Sequence, residues 1–249
     1  MPVLPGMEVP LLSAQKILAG MYLIHYLNRA IISPLRTPSR SKAHISVPLS
    51  GILFNVLNGS LIGSYLSSPA ARLYLSRDTN TWGNPLWYLG LGLWAFGFIG
   101  NVWHDEILLN IRRKAKQSGK KKDDGDKKEQ GEHYAIPYGL LYEYVSFPNY
   151  LCEWVEWFGF ALAASPLPLL QLSSSELFTM PSTFSWETLV TLYHLPPSFF
   201  APRLTPPWIF FLNEIVLMFP RAYKGHQWYK AKFGDAFPKD RRIVVPFVL

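Results

Sequence analysis

The stretch YAIPYGLLYEYVSFPNYLCEWVEWFGFALA, residues 134–163, combines a largely apolar and aromatic composition with several acidic and amide side chains. From Asn149 onward the chain is apolar for long enough to cross a bilayer, which takes roughly 20 residues. Glu153 and Glu156 are three positions apart and therefore lie on one face of a helix. Because an ionisable side chain inside a membrane faces protein or a water-filled cavity, the pair predicts a polar pocket. The alternative is that one or both carboxylates lie at the membrane interface.

The composition of the whole chain extends this prediction. Hydrophobic residues make up 49% of the chain and charged residues only 16%, whereas soluble domains contain roughly 25% charged residues. Apolar blocks of membrane-spanning length recur, so we expect an all-α fold, a polytopic transmembrane helical bundle with five to six visible spans. Beside the opening stretch, the expected spans are residues 11–32, 45–66, 86–103 and 208–219, with a marginal apolar piece at 189–195.

A charged segment divides the chain. Residues 114–133, KAKQSGKKKDDGDKKEQGEH, contain charges of both signs and no large apolar side chain, so this insertion is expected to be disordered. It separates N-terminal transmembrane helices (1–113) from a C-terminal transmembrane domain (134–249). The net charge of +7 comes from loops and the C-terminal tail, where the positive-inside bias explains it. We therefore expect no nucleic-acid partner.

Several common kinds of site are missing from the sequence. The lone cysteine, Cys152, excludes an intramolecular disulfide and a multi-cysteine zinc site. The six histidines have no metal-binding spacing, so no metal is expected, and neither GxGxxG nor GxxxxGK[ST] occurs. What remains is a polar lining inside a helical bundle, which suits a lipid-like substrate and a charged cofactor.

Two polar groups could contact such a cofactor. If the third span continues as a helix, Asn101, Asp105 and Arg112 share one face. They suit the hydroxyls and phosphates of a nucleotide, and they suit an ordinary interfacial cap equally well. In the tail, Arg221 and the nearby His226 and Tyr229 fall within about two helical turns. That cluster is either a basic interfacial helix or a phosphate or adenine contact.

Three motifs together resemble the C-terminal domain of the steroid 5-alpha-reductase family. They are NVWHDEILLNIRR (101–113), the opening stretch (134–163) and RAYKGHQWYKAKFGDAFPKDRRIVVPF (221–247). An upstream HYLNR (25–29) resembles the HY-x-x-R element of the same family. The resemblance implies a multi-pass enzyme of the endoplasmic reticulum membrane with seven helices. It also implies NADPH-dependent reduction of a carbon–carbon double bond conjugated to a ketone, with a 3-oxo-4-ene steroid as the leading substrate.

The resemblance also implies which residues act. Tyr26 would donate a hydrogen bond to the substrate carbonyl, and Glu8 in MEVP is the nearest match to its partner glutamate. The family's NADPH contacts would fall on Asn101, Asp105, Arg112, Tyr134, Asn149, Glu153, Arg221, His226 and Tyr229. Glu156 is expected to be structural.

The sequence departs from the family pattern at several points. Met7 precedes Glu8 where the family has glutamine, and Glu8 is closer to Tyr26 in sequence than the family element. Ala135 stands where a basic residue often follows the tyrosine, and the chain begins about one helix late, which suggests a truncated sequence. Alternatives therefore stay open: a very-long-chain enoyl thioester or polyprenoid reductase, a membrane methyltransferase, or an inactive sterol-binding homologue.

Overall fold

The computed structural model describes residues 11–37, 44–120, 134–168 and 204–248, and within these ranges the fold is all-helical. Proline occupies the first turn of several helices, where its fixed φ suits the helix and its missing N–H costs no hydrogen bond. The helices are α1 Ser13–Leu27, α2 Ser33–Arg36, α3 Ser46–Ser67, α4 Pro69–Leu75, α5 Pro85–Lys120, α6 Pro148–Ala164 and α7 Pro206–Phe233, and a π-helical turn, Asn28–Ile32, joins α1 to α2.

Helices α5 and α6 form the centre of the structure because glycines let their backbones touch. A Cβ atom on Gly97 would lie 2.5 Å from the carbonyl oxygen of Cys152 and 2.5 Å from the amide nitrogen of Glu156. A Cβ atom on Gly159 would lie 2.5 Å from the amide nitrogen of Trp94. Small residues at such crossings are typical of helix pairs in membranes. This close approach sets the polar end of α5 directly beside the first turns of α6.

Helices α1, α3 and α7 pack around this pair through one aromatic cluster. Trp157 of α6 is 1% exposed, and its ring lies 4.5 Å from that of Phe210 on α7 and 4.6 Å from that of His25 on α1. Gln15 fixes α1 against α3 by donating from its side-chain amide to the carbonyl oxygen of Leu66, at 2.5 Å. A second apolar cluster joins the start of α6, the second half of α7 and the tail through Trp154, Met218, Ala222 and Val244.

The C-terminal tail returns to the segment that precedes α6. The amide nitrogen of Ser146 donates to the carbonyl oxygen of Arg242 at 2.9 Å, and that of Phe147 donates to Ile243 at 3.0 Å. Gly225 of α7 faces the Phe147 ring so closely that a side chain at this position would collide with it. The loop before α6 is therefore held between α7 and the tail.

The all-α class predicted from the sequence is confirmed within the described residues, and several helix bounds differ from the predicted spans. Two helices have the length and hydropathy to cross a membrane, residues Pro48–Ser67 and Pro85–Ala115, so the number of spans stays a prediction. Helix α5 continues to Lys120, and the first seven residues of the segment predicted to be disordered are helical. Helix α7 continues past Pro220 to Phe233. Residues 121–133, the apolar piece 189–195 and Glu8 lie outside the described residues.

Candidate functional site

A network of acids, amides and one arginine joins the π-helical turn to α5 and α6; its members on α6 and Asn101 are buried, whereas the Arg29 side chain is 39% exposed. Asn101 donates to Glu153 Oε2 at 3.0 Å, and Asn149 donates to Asp105 Oδ1 at 3.1 Å. The Arg29 guanidinium bridges the two carboxylates, at 3.3 Å from Glu153 Oε2 and 3.5 Å from Asp105 Oδ2. Four of the predicted cofactor residues therefore lie in direct contact, in two amide–carboxylate pairs linked by one cation.

A histidine–glutamate pair continues this network into the bundle. His25 Nδ1 lies 2.7 Å from Glu156 Oε1, and His25 Nε2 lies 3.8 Å from Glu153 Oε1. Glu153 and Glu156 are 4% and 0% exposed, so both carboxylates face the protein interior and neither lies at a surface. We call His25, Arg29, Asn101, Asp105, Asn149, Glu153 and Glu156 the polar layer.

A cavity opens beside the polar layer. Its volume is about 300 Å³ and it is lined by Ser33, Thr37, Asp105, Leu108, Leu109 and Arg112. This is the lower end of the size range of small-molecule sites. A guanidinium and two hydroxyl side chains in one cavity provide hydrogen-bond donors for phosphate oxygens. Because Asp105 belongs both to the cavity wall and to the polar layer, a ligand could contact the two together.

Two of the predicted tyrosines lie in aromatic contacts with the end of α7 and the tail. The Tyr134 ring lies 4.8 Å from that of Trp228, and Lys232 Nζ lies 4.5 Å from the centre of the Tyr134 ring. The Tyr229 ring stacks on that of Phe237 at 5.9 Å. Tyr229 also contacts Phe147, and Phe147 packs against the second apolar cluster. These aromatic contacts therefore lie on the same side of α6 as that cluster.

His226 is held as a buried, neutral side chain. It is 3% exposed, and its Nδ1 atom lies 2.7 Å from the Ser146 hydroxyl, which joins α7 to the loop before α6. Burial, together with smaller contributions from the nearby cations Lys230 and Arg241, lowers the pKa of His226 to about 4. A histidine with this pKa carries no charge at neutral pH and binds through hydrogen bonds.

Tyr26 lies on α1 and faces α3. The Asn58 side-chain amide donates to the Tyr26 hydroxyl at 3.1 Å and is 3.4 Å from that of Tyr22. The Tyr26 ring lies 5.1 Å from that of His25 and 6.3 Å from that of Trp157. Tyr26 therefore adjoins the polar layer through His25, in an aromatic environment suited to an apolar ring system. Its expected partner Glu8 is not described.

The predicted cofactor residues thus fall into three groups by position. Asn101, Asp105, Asn149 and Glu153 meet in the polar layer, and Arg112 lines the cavity next to them. Tyr134, His226 and Tyr229 lie on the tail side. Arg221 lies exposed on α7, and its charge acts electrostatically on Tyr150 and Glu214.

Several residues of the polar layer and the tail were not assigned a role from the sequence. His25 and Arg29 are four positions apart in HYLNR. This spacing places both on one helix face and could have predicted that they act together. Glu156, expected to be structural, pairs with His25. Arg241 is 3% exposed, and its Nε and one terminal nitrogen have no hydrogen-bond partner among the described residues. Among the described residues, no three His, Cys, Asp or Glu side chains are placed so that they could hold a metal ion.

Comparison with known proteins identifies the family. The family model described as 3-oxo-5-alpha-steroid 4-dehydrogenase matches residues 41–188 and 198–249. An uncharacterized protein of Schizosaccharomyces pombe is 40% identical over 241 residues, covering 95% of this chain and 69% of that protein. Steroid 5-alpha-reductase DET2 of Solanum lycopersicum is 31% identical over 235 residues, covering 93% of this chain and 68% of the relative.

A mammalian relative agrees with these matches. The 3-oxo-5-alpha-steroid 4-dehydrogenase 1 of Mus musculus is 31% identical over 234 residues, covering 94% of this chain and 69% of the relative. The resemblance drawn from the three sequence motifs is thereby confirmed. The chain belongs to the 3-oxo-5-alpha-steroid 4-dehydrogenase family and is an oxidoreductase of the class that acts on CH–CH groups.

Proposed function

We propose that the chain reduces a carbon–carbon double bond conjugated to a carbonyl in a membrane lipid, with NADPH as the cofactor and a 3-oxo-4-ene steroid as the substrate. We place it as a multi-pass protein of the endoplasmic reticulum membrane, with the domain division and the number of spans expected from its sequence. The observation that carries the proposal is the polar layer, because buried carboxylates such as Glu153 and Glu156 inside an apolar bundle are costly unless they are used.

Two observations support the binding of a dinucleotide by the proposed cofactor residues. Arg112 opens onto a cavity with the hydroxyl-bearing Ser33 and Thr37, which suits phosphate groups. Asn149 Oδ1 is buried and has no hydrogen-bond partner among the described residues, so it is free to accept from a polar ligand. The residues that would hold the cofactor are Asn101, Asp105, Arg112, Tyr134, Asn149, Glu153, Arg221, His226 and Tyr229. Bound NADPH would supply the hydride.

Tyr26 is the residue proposed to act on the substrate carbonyl. Its hydroxyl oxygen accepts from the Asn58 amide, and its proton is donated to the Tyr22 hydroxyl, so the carbonyl oxygen of a bound substrate would replace Tyr22 as the acceptor. A hydrogen bond to the carbonyl oxygen would stabilise the negative charge that develops there when hydride reaches the β-carbon. Glu8 is proposed as a second donor to the same oxygen. The aromatic rings of Tyr22 and Trp157 beside Tyr26 would contact an apolar steroid.

The test uses membranes from cells that express the chain. Membranes are incubated with NADPH and a 4-ene-3-one steroid, while NADPH consumption and the product mass are followed. A product two hydrogens heavier than the substrate, formed only with NADPH, is expected. Enoyl thioester and polyprenoid substrates are included because related reductases could act on them. Absence of an NADPH-dependent mass gain on every substrate would overturn the reductase function.

A further inference from the structure

One buried carboxyl has no place in the site described so far. Glu214 lies on α7 and is 8% exposed, and it has no hydrogen bond or ion pair with the described residues. It is the only acidic residue in the apolar part of this helix, residues 206–219. A carboxyl taken out of water without a partner is costly, so its position inside the bundle calls for a role.

The geometry of α7 directs Glu214 toward the polar layer. Phe210, Glu214 and Met218 recur every four residues and are all buried, so they form the inner face of the helix. Phe210 packs on Trp157, whereas Met218 belongs to the apolar cluster around Trp154. Glu214 therefore lies between two apolar clusters, at the level of α6 that holds Glu153 and Glu156.

Several charged and titratable groups surround this position. Glu214 is within electrostatic range of the Tyr22 and Tyr26 hydroxyls on α1. The other groups whose charges act on it are His25, Arg29, Glu153 and Arg221. On α3, the neutral Asn58 amide holds the two tyrosine hydroxyls. Glu214 thus interacts electrostatically with the proposed carbonyl-binding Tyr26 and with the proposed cofactor residues Glu153 and Arg221.

The other carboxyls of the region are already engaged. Glu153 pairs with the Arg29 guanidinium and accepts from Asn101. Glu156 is bonded to His25 at 2.7 Å. A general acid must carry a proton that it is free to give. Among these three glutamates, Glu214 alone has no cation or hydrogen-bond donor in contact with it in the described structure.

We propose that Glu214 is the general acid that protonates the α-carbon of the reduced substrate. The role rests on the proposed function. Addition of hydride to the β-carbon would leave the substrate as an enolate. The O–H bond of the Glu214 carboxyl breaks, and the enolate electron pair forms the new C–H bond at the α-carbon as the carbonyl re-forms. Glu214 is left as a carboxylate, which Arg221 and Arg29 stabilise until solvent returns a proton.

The test compares E214Q and E214D with the unchanged chain in membranes, each normalised to its folded amount by size-exclusion chromatography. E214Q keeps the shape of the side chain but has no carboxyl proton, so kcat should fall at least about 100-fold, the smaller end of the contribution of general acids. Its KM for the steroid should stay within about threefold. E214D should recover at least tenfold over E214Q. The matched control E143Q removes a loop carboxyl, whose Oε1 accepts from Gly139, and should keep full activity.

Two readouts separate a catalytic role from a structural one. The kcat of the unchanged chain should fall at high pH as the acid loses its proton, and this limb should be absent from the residual activity of E214Q. The infrared band of a protonated carboxylic acid should be present in the unchanged chain and lost in E214Q. An E214Q variant within threefold of the unchanged kcat, an E214D variant no better than E214Q, or an unchanged infrared band would each overturn the role. If the unchanged chain reduces no substrate, the proposed function itself fails.

Discussion

The close contact between α5 and α6 holds the polar layer in place, and a substitution at this contact tests that role. We consider Gly97→Ala, which adds one methyl group where the Cβ atom would lie 2.5 Å from the Cys152 carbonyl oxygen and 2.5 Å from the Glu156 amide nitrogen. Both atoms belong to the backbone, so the helices must move apart by about 1 Å to reach ordinary contact distances. Such a shift would lengthen the 3.0 Å bond from Asn101 to Glu153 beyond hydrogen-bonding range.

Two costs add in this variant. Overpacking a tight contact costs about 1–3 kcal/mol, and losing a hydrogen bond to a charged group costs about 1.5–3 kcal/mol. After the roughly 1 kcal/mol gained from the better helix propensity of alanine is subtracted, we expect Gly97→Ala to lower the free energy of unfolding by about 1.5–5 kcal/mol. The apparent affinity for NADPH should fall as well, because Asn101 and Glu153 are both proposed cofactor contacts.

The assay is thermal unfolding in detergent together with NADPH titration. The matched control is Gly92→Ala on the same helix, because a Cβ atom there would meet no other atom within 4 Å. Alanine is a better helix former than glycine by roughly 1 kcal/mol, so the control should be neutral or slightly stabilising. Equal behaviour of the two variants would refute the close α5–α6 contact as the basis of the site.

Other predictions concern the cofactor residues and the tail. Arg112→Ala and Asn149→Ala should each raise the NADPH concentration needed for half-maximal rate about tenfold, as expected for one lost ligand contact of about 1.4 kcal/mol; no change in either would remove both residues from the cofactor site. His226 should make the fold sensitive to acid, since its pKa falls from 6.5 to about 4 on folding. The folded state then binds fewer protons, so stability is full above pH 6.5 and is lost as the pH falls toward 4, by up to about 3 kcal/mol. Denaturant melts across this range should show that loss, and His226→Gln should flatten it; an unchanged slope would contradict the buried neutral state.

The sequence predicted the helices whose apolar pattern is continuous. Helix α3 begins and ends within one residue of the predicted span, and the shared face of Asn101 and Asp105 follows from the helix continuing beyond residue 103. The predicted span stopped at residue 219, where the apolar run ends, whereas α7 continues to Phe233. Tertiary packing overrides that signal, since Ala222 and His226 are buried against the tail and the loop before α6.

The site was only partly predictable for a similar reason. The spacing of Glu153 and Glu156 indicated a polar pocket, but their partners come from another helix far away in sequence. His25, near the end of α1, and Arg29, in the π-helical turn that follows, reach them because this part of the chain lies beside α6, and no local pattern specifies that approach. Pairings across long sequence separations depend on the packing of whole helices, which a single sequence does not determine.

The central claim is hydride transfer from NADPH to the β-carbon of a conjugated carbonyl. The most direct measurement uses NADPH deuterated at the transferred position of the nicotinamide, with the purified chain and a 4-ene-3-one steroid. The account predicts a product in which one deuterium lies at the β-carbon and the α-carbon carries a proton from solvent. A product without deuterium, or no reduced product under conditions where the chain is folded, would contradict it.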